Sequence, residues 1–116
     1  SKGMVFSHQS LLTKRNYLKL HPFEIIYKSA SDYCLIYGSY KKGASFRQLD
    51  SVLSIVESGG ISDTDRLTSL LEGFSIIRSV NGISIDLLIF TLHAIPILIF
   101  EQCKKIRKAE IMGRLF

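Results

Sequence analysis

The apolar positions of this chain change their spacing several times, and each spacing predicts a different element. In residues 29–42, SASDYCLIYGSYKK, Ala30, Tyr33, Cys34 and Tyr37 recur at i, i+3, i+4 and i+7, one face of a helix. Leu35 and Ile36 make the other face apolar as well, so this helix is expected to be buried nearly all round. Ser29 or Ser31 is placed to cap it, and Gly43 to end it after Lys41 and Lys42, whose charges suit a helix C-terminus. Residues 45–58, SFRQLDSVLSIVES, alternate and are rich in β-branched side chains, which predicts one or two strands. Residues 4–13, MVFSHQSLLT, also lean towards strand. KRNYLKLH, residues 14–21, predicts a helical turn or two that stops before Pro22.

Beyond Gly59-Gly60 the helical period returns. Ser62 is the expected N-cap, with Asp65 three residues on as a variant capping box. Leu67, Leu70, Leu71, Phe74 and Ile77 then form an amphipathic stripe to about Val80, and Asn81-Gly82 is its stop. Residues 83–100, ISIDLLIFTLHAIPILIF, are apolar apart from Asp86, His93 and small hydroxyls. A spanning helix needs about 20 mostly apolar residues, and Asp86, His93 and Pro96 make this segment a poor one. A helix lying in the membrane interface, or packed on its own protein, fits better, with Pro96 kinking or dividing it. The fold class these elements predict is α+β: the 29–42 helix against a few short strands, then two C-terminal helices.

The 116 residues suffice for one core, and the mixture of apolar and polar residues argues against disorder. Cys34 and Cys103 lie in different segments without CxxC spacing, which argues against a disulfide scaffold or a zinc site and fits a reducing compartment. The net charge is +5, and Lys104, Lys105, Arg107, Lys108 and Arg114 against Glu101 and Glu110 concentrate +3 of it in the last 16 residues. Basic residues gathered in one tail without interleaved aromatics argue against nucleic-acid binding. The opening residues carry no signal-peptide pattern, and the chain is expected to be the C-terminal portion of a longer one.

Asp32 is the lone carboxylate of the 29–42 helix. At a first-turn position it serves either as a partner for backbone N–H groups or as a working base, and periodicity alone leaves both open. His8-Gln9-Ser10, Ala30-Ser31-Asp32-Tyr33, Lys42-Gly43 and Gly59-Gly60-Ile61-Ser62 carry more information through their order and spacing. Residues 8–62, about half the chain, resemble the C-terminal half of the catalytic domain of family 2 glycosyltransferases, the GT-A-fold enzymes of bacterial polysaccharide synthesis. One departure is Cys34, where the residue after Asp-Tyr is usually acidic or polar.

The resemblance implies an inverting glycosyltransferase whose acceptor-side half is residues 1–62, followed by a helical extension, 63–116. It implies Asp32 as the base that deprotonates the acceptor hydroxyl, with His8 and Gln9 across the cleft from it. Tyr33 is either a core residue or one that stacks on a sugar, and Gly59-Gly60 either a strand-to-helix turn or a hinged loop over the acceptor. Donor and acceptor would be a nucleotide-sugar and a glycan or lipid-linked sugar. A divalent metal, Mg or Mn, is expected with ligands mostly outside this chain, because Asp63–Asp65 reads as a helix cap rather than as the family's metal-binding DxD; none of these residues is assigned to metal. The expected location is cytoplasmic, peripheral on the inner face of the membrane. Self-association through an uncovered apolar face is plausible, and the chain alone is expected to transfer no sugar. The competing expectation is a non-catalytic module that binds a membrane surface or a partner protein.

Overall fold

The computed structural model describes residues 8–57 and 65–115. Among the described residues a 3-10 turn at His8–Ser10 leads to four α-helices: α1 (Arg15–Leu20), α2 (Ser31–Lys41), α3 (Arg66–Asn81) and α4 (Ile85–Leu115). Among the described residues there is no strand, and the α+β expectation, with the few short strands of a GT-A-type α/β domain portion, is corrected to an all-helical architecture. The alternating segment is the reason. In residues 45–57 Phe46, Leu49, Val52 and Ile55 are exposed, and no described segment runs alongside to complete a ladder. Alternation predicts a strand only if a second backbone satisfies its N–H and C=O groups. Ser54 Oγ meets Ser10 Oγ at 2.7 Å, a contact between side chains. Residues 8–10 likewise turn back, with Leu11 N donating to His8 O at 3.1 Å, instead of extending.

The helices form where the apolar spacing put them. α2 ends as expected, with the Gly43 N–H donating to Tyr40 O and Gly43 at φ +84°, a conformation that favours glycine. Its start differs from expectation. Neither Ser29 nor Ser31 caps it; the N-cap is Ala30, which has no side chain for the purpose. The chain entering α2 is held by Glu72 of α3 instead. One Glu72 oxygen accepts from Lys28 N at 2.8 Å, and the other from Ser29 N at 2.8 Å and Ala30 N at 2.9 Å. Ser29 Oγ meets Ser69 Oγ at 2.6 Å beside it. Ser62 lies outside the described residues. Asp65 is the N-cap of α3, its carboxylate accepting from Thr68 N at 3.2 Å; the Thr68 hydroxyl first, and then this backbone bond, hold its pKa below the ordinary carboxylate value.

The core is the contact of α2, α3 and α4. Ala30, Tyr33 and Tyr37 pack against Ile76 and Ile77, which are fully buried, and against Leu87 and Phe90. Each fully buried Ile contributes roughly 1.5–3 kcal/mol relative to exposure. Tyr33 and Tyr37 are stacked, ring centroids 5.6 Å apart. α2 is buried mainly on that face, with Tyr40 exposed, so it is less enclosed than its all-round apolar pattern predicts. α4 crosses α3 at Gly73, where a Cβ would stand 2.6 Å from Phe90 Cζ. α4 continues through Pro96 to Leu115, so the proline does not divide it. Beyond Ala94 it projects from the core, and the radius of gyration is 17.0 Å, against about 13 Å for a compact chain of this length.

Two substitutions test this packing. Gly73→Ala is expected to cost about 1–3 kcal/mol, because the buried Phe90 ring has little room to retreat. Glu72→Ala is expected to cost about 2 kcal/mol by leaving three backbone donors without their carboxylate. Urea unfolding followed by circular dichroism checks both; stability unchanged within error would contradict the packing described.

Candidate functional site

The first residues of α2 and the turn at His8–Ser10 meet. His8 Nδ1 lies 2.6 Å from Asp32 Oδ2, a distance at which the imidazole N–H donates to the carboxylate. The other oxygen, Asp32 Oδ1, accepts from Tyr33 N at 2.8 Å. Asp32 is thus held from both sides, by its own helix and by a residue 24 positions earlier. Its side chain retains 19% exposure and that of His8 54%, so both remain reachable from solvent.

The pair sits at a cleft of about 300 Å³ whose walls include Leu11, Leu18, Phe23, Leu35 and Ile36. Apolar side chains thus flank one carboxylate–imidazole pair that stays open to solvent. α1 positions one wall: Tyr17 donates to Ser39 Oγ at 2.8 Å, and Ser39 donates to Leu35 O at 2.6 Å, which fastens α1 to α2. Chemically, the cleft offers a rigid carboxylate able to take a proton from a hydroxyl brought against it.

The other expected site residues divide. Gln9 is exposed in the same turn as His8. Tyr33 is buried in the core and does not line the cleft. Gly59 and Gly60 lie outside the described residues. His21 stacks on Tyr17 with centroids 4.5 Å apart, and His93 Nδ1 bonds Ile89 O at 2.9 Å, structural roles in each case. Among the described residues no three His, Cys, Asp or Glu side chains gather as a metal group would require. A larger cleft of about 570 Å³ lies along α2 past Cys34, Gly38 and Lys42, without Asp32. It holds no activated nucleophile, since burial first, then the negative charge of Glu24, pushes the Cys34 thiol up.

A second polar centre was not anticipated. Asp86, at the start of α4, pairs with Lys41 of α2 and accepts from Tyr37 Oη at 3.0 Å and from Asn81 Nδ2 at 3.2 Å. Lys41 above all holds the Asp86 carboxyl well below the usual carboxylate range, while burial and the bond to Asp86 push the Tyr37 phenol well above its ordinary value. Both Asp86 and Glu72 break the apolar pattern of their helices, the sole sign of them in the sequence. Nothing in that pattern reveals what they bind.

No family model matches the chain, and no curated protein or solved structure matches it either.

Because the Asp86 pKa is depressed by folding, its stabilisation is present above the unfolded carboxylate value of about 3.9 and is lost as the pH falls through the lower folded value. Thermal unfolding from pH 6 to pH 2 is expected to show a falling melting temperature below pH 4. Asp86→Asn should have a lower plateau and a shallower acid limb, and an unchanged acid limb would remove Asp86 from this role.

Proposed function

We propose that this chain carries the acceptor side of an inverting glycosyltransferase, with Asp32 as the general base. The observation that carries the reading is the 2.6 Å pairing of His8 with Asp32 at the mouth of a cleft. The two residues lie far apart in sequence; the resemblance implies that they face each other across one acceptor site, and here they touch directly. A sugar hydroxyl is a poor nucleophile, so its proton must leave as its oxygen bonds to the anomeric carbon. In this reading Asp32 takes that proton from an acceptor hydroxyl entering the cleft, the nucleoside diphosphate departs with the bonding electrons of the old C–O bond, and the configuration inverts. The backbone bond from Tyr33 and the bond from His8 keep the carboxylate aimed, the orientation that makes such a transfer efficient.

The donor is proposed to be a nucleotide-sugar and the acceptor a glycan or a lipid-linked sugar, in cell-surface polysaccharide synthesis on the cytoplasmic side of a membrane. The divalent metal that the resemblance implies would neutralise the leaving diphosphate. The described residues do not form a site for it, so its ligands are proposed to lie elsewhere, and no step here runs through it. The nucleotide-binding residues are likewise proposed to lie outside this chain, which alone should transfer no sugar.

A nucleotide-sugar screen scored by nucleotide release, on the chain joined to its donor-binding residues, tests the proposal. With the active donor in hand, Asp32→Asn is expected to lower turnover about 10²–10⁴-fold with donor affinity nearly unchanged, since the amide keeps the shape but takes no proton. Near-normal turnover would leave Asp32 as a helix-terminus residue only.

A further inference from the structure

α4 has two apolar faces, and the core uses one of them. Leu87, Phe90 and Ala94 are buried against the rest of the chain. About 140° round the helix, Ile85, Leu88, Leu92, Ile95 and Ile99 form a second stripe at three- and four-residue spacing, resumed at Ile106 beyond Gln102. These side chains are bare, from 45% exposed at Ile95 to 75% at Ile85. A stripe of six large aliphatic side chains in a line is not the scatter of single apolar residues found on ordinary surfaces.

We propose that this stripe docks the protein on an anionic lipid bilayer, with α4 lying in the interface rather than crossing it. Charge points to lipid as the occupant. The helix continues into Lys104, Lys105, Arg107 and Lys108, all exposed, followed by Arg114. Arg107 and Arg114 border the stripe, while Lys104, Lys105 and Lys108 lie on the faces away from it and add to the positive field of this end of the helix. A second copy fits less well. Parallel pairing would set this basic end beside its twin, and Gln102 interrupts the stripe where a helix–helix seam needs an apolar side chain.

The packing also decides between lying and crossing. α4 contains a window long and apolar enough to span a bilayer by length and composition, of mean hydropathy 1.6. Its first three turns, however, are committed to the core through Leu87, Phe90 and Ala94, and its first residues through Asp86 and Lys41. Between Ala94 and the next charge, Glu101, only residues 95–100 remain. They rise about 9 Å, against a hydrocarbon core of about 30 Å. The stripe can sink into one leaflet while the packed face stays on the protein, as amphipathic interfacial helices do. This places the proposed acceptor cleft on a protein held at the surface where a lipid-linked acceptor resides. It rests on the glycosyltransferase reading only for which leaflet is used.

The test is co-sedimentation of the chain with vesicles of phosphatidylcholine alone or with 30% phosphatidylglycerol, with analytical ultracentrifugation without lipid. Binding to the anionic vesicles that falls with salt is expected. Replacing Lys104, Lys105, Arg107 and Lys108 with Gln should weaken partitioning by up to about 600-fold, about fivefold per charge. Leu92→Ser with Ile99→Ser should weaken it similarly while circular dichroism is unchanged, because neither side chain is in the core. Asp32→Asn should bind as the parent chain does, so loss of the catalytic reading and loss of the docking reading are separable. Equal recovery in the supernatant with both vesicle types would overturn docking. So would a lipid-independent dimer abolished by the serine variant, which assigns the stripe to a second copy, or retention in carbonate-washed bilayers, which makes α4 a spanning helix.

Discussion

One carboxylate organises the start of α2. Glu72 reaches from the middle of α3 and takes three consecutive backbone N–H groups, those of Lys28, Ser29 and Ala30. Ala30 has no side chain to cap the helix that follows, so without Glu72 this entry would present its donors to the half-buried junction unsatisfied. The bond set fixes where α2 begins and how it stands on α3. Asp32 lies two residues beyond Ala30, so its position in the cleft follows from a residue 40 positions away. A long-range cap of this kind couples the candidate site to the core more tightly than a local serine cap would.

The rest of the core serves the same arrangement. Gly73 sits one residue from Glu72, and its lack of a side chain lets Phe90 bring α4 close to α3. Asp86 at the start of α4 then reaches back to Lys41 and Tyr37 near the end of α2. α2 is held near its beginning by α3 and near its end by α4, with Tyr33 and Tyr37 stacked between on the buried face. A helix fixed at both ends presents its other face, with Asp32, Leu35 and Ile36, as a rigid wall. Catalysis by a positioned base requires that rigidity, since small displacements cost large factors in rate.

α4 joins the proposed chemistry to the proposed surface. Its inner face completes the core with Leu87, Phe90 and Ala94, and its outer face carries the bare aliphatic stripe. Committing the first turns to the protein leaves too little apolar length to cross a bilayer, so in the proposed docking one helix would be both packing element and interfacial element. In that proposal the basic end beyond Phe100 would supply the long-range attraction, and the stripe the short-range hydrophobic contribution.

The sequence by itself determined the elements whose signals are local. The i, i+3, i+4, i+7 spacing of Ala30, Tyr33, Cys34 and Tyr37 marked α2, the leucine stripe with Asn81-Gly82 marked α3, and the apolar run from Ile83 marked α4, because a helix satisfies its own backbone and needs only an apolar stripe to dock. Asp32 and His8 were legible as candidates through their resemblance to a family pattern, but their 2.6 Å approach was not. Residues 45–57 went the other way: their alternation promised strands, yet a strand exists only if another segment pairs with it, and none among the described residues does. Only the tertiary structure decided that Glu72, not Ser29 or Ser31, holds the entry to α2, and that Asp86 ties α4 to α2. It likewise decided which of the two apolar faces of α4 the core would cover. Each of these is a contact between residues distant in sequence, and neither spacing nor composition encodes which distant partner a carboxylate or an apolar face will meet.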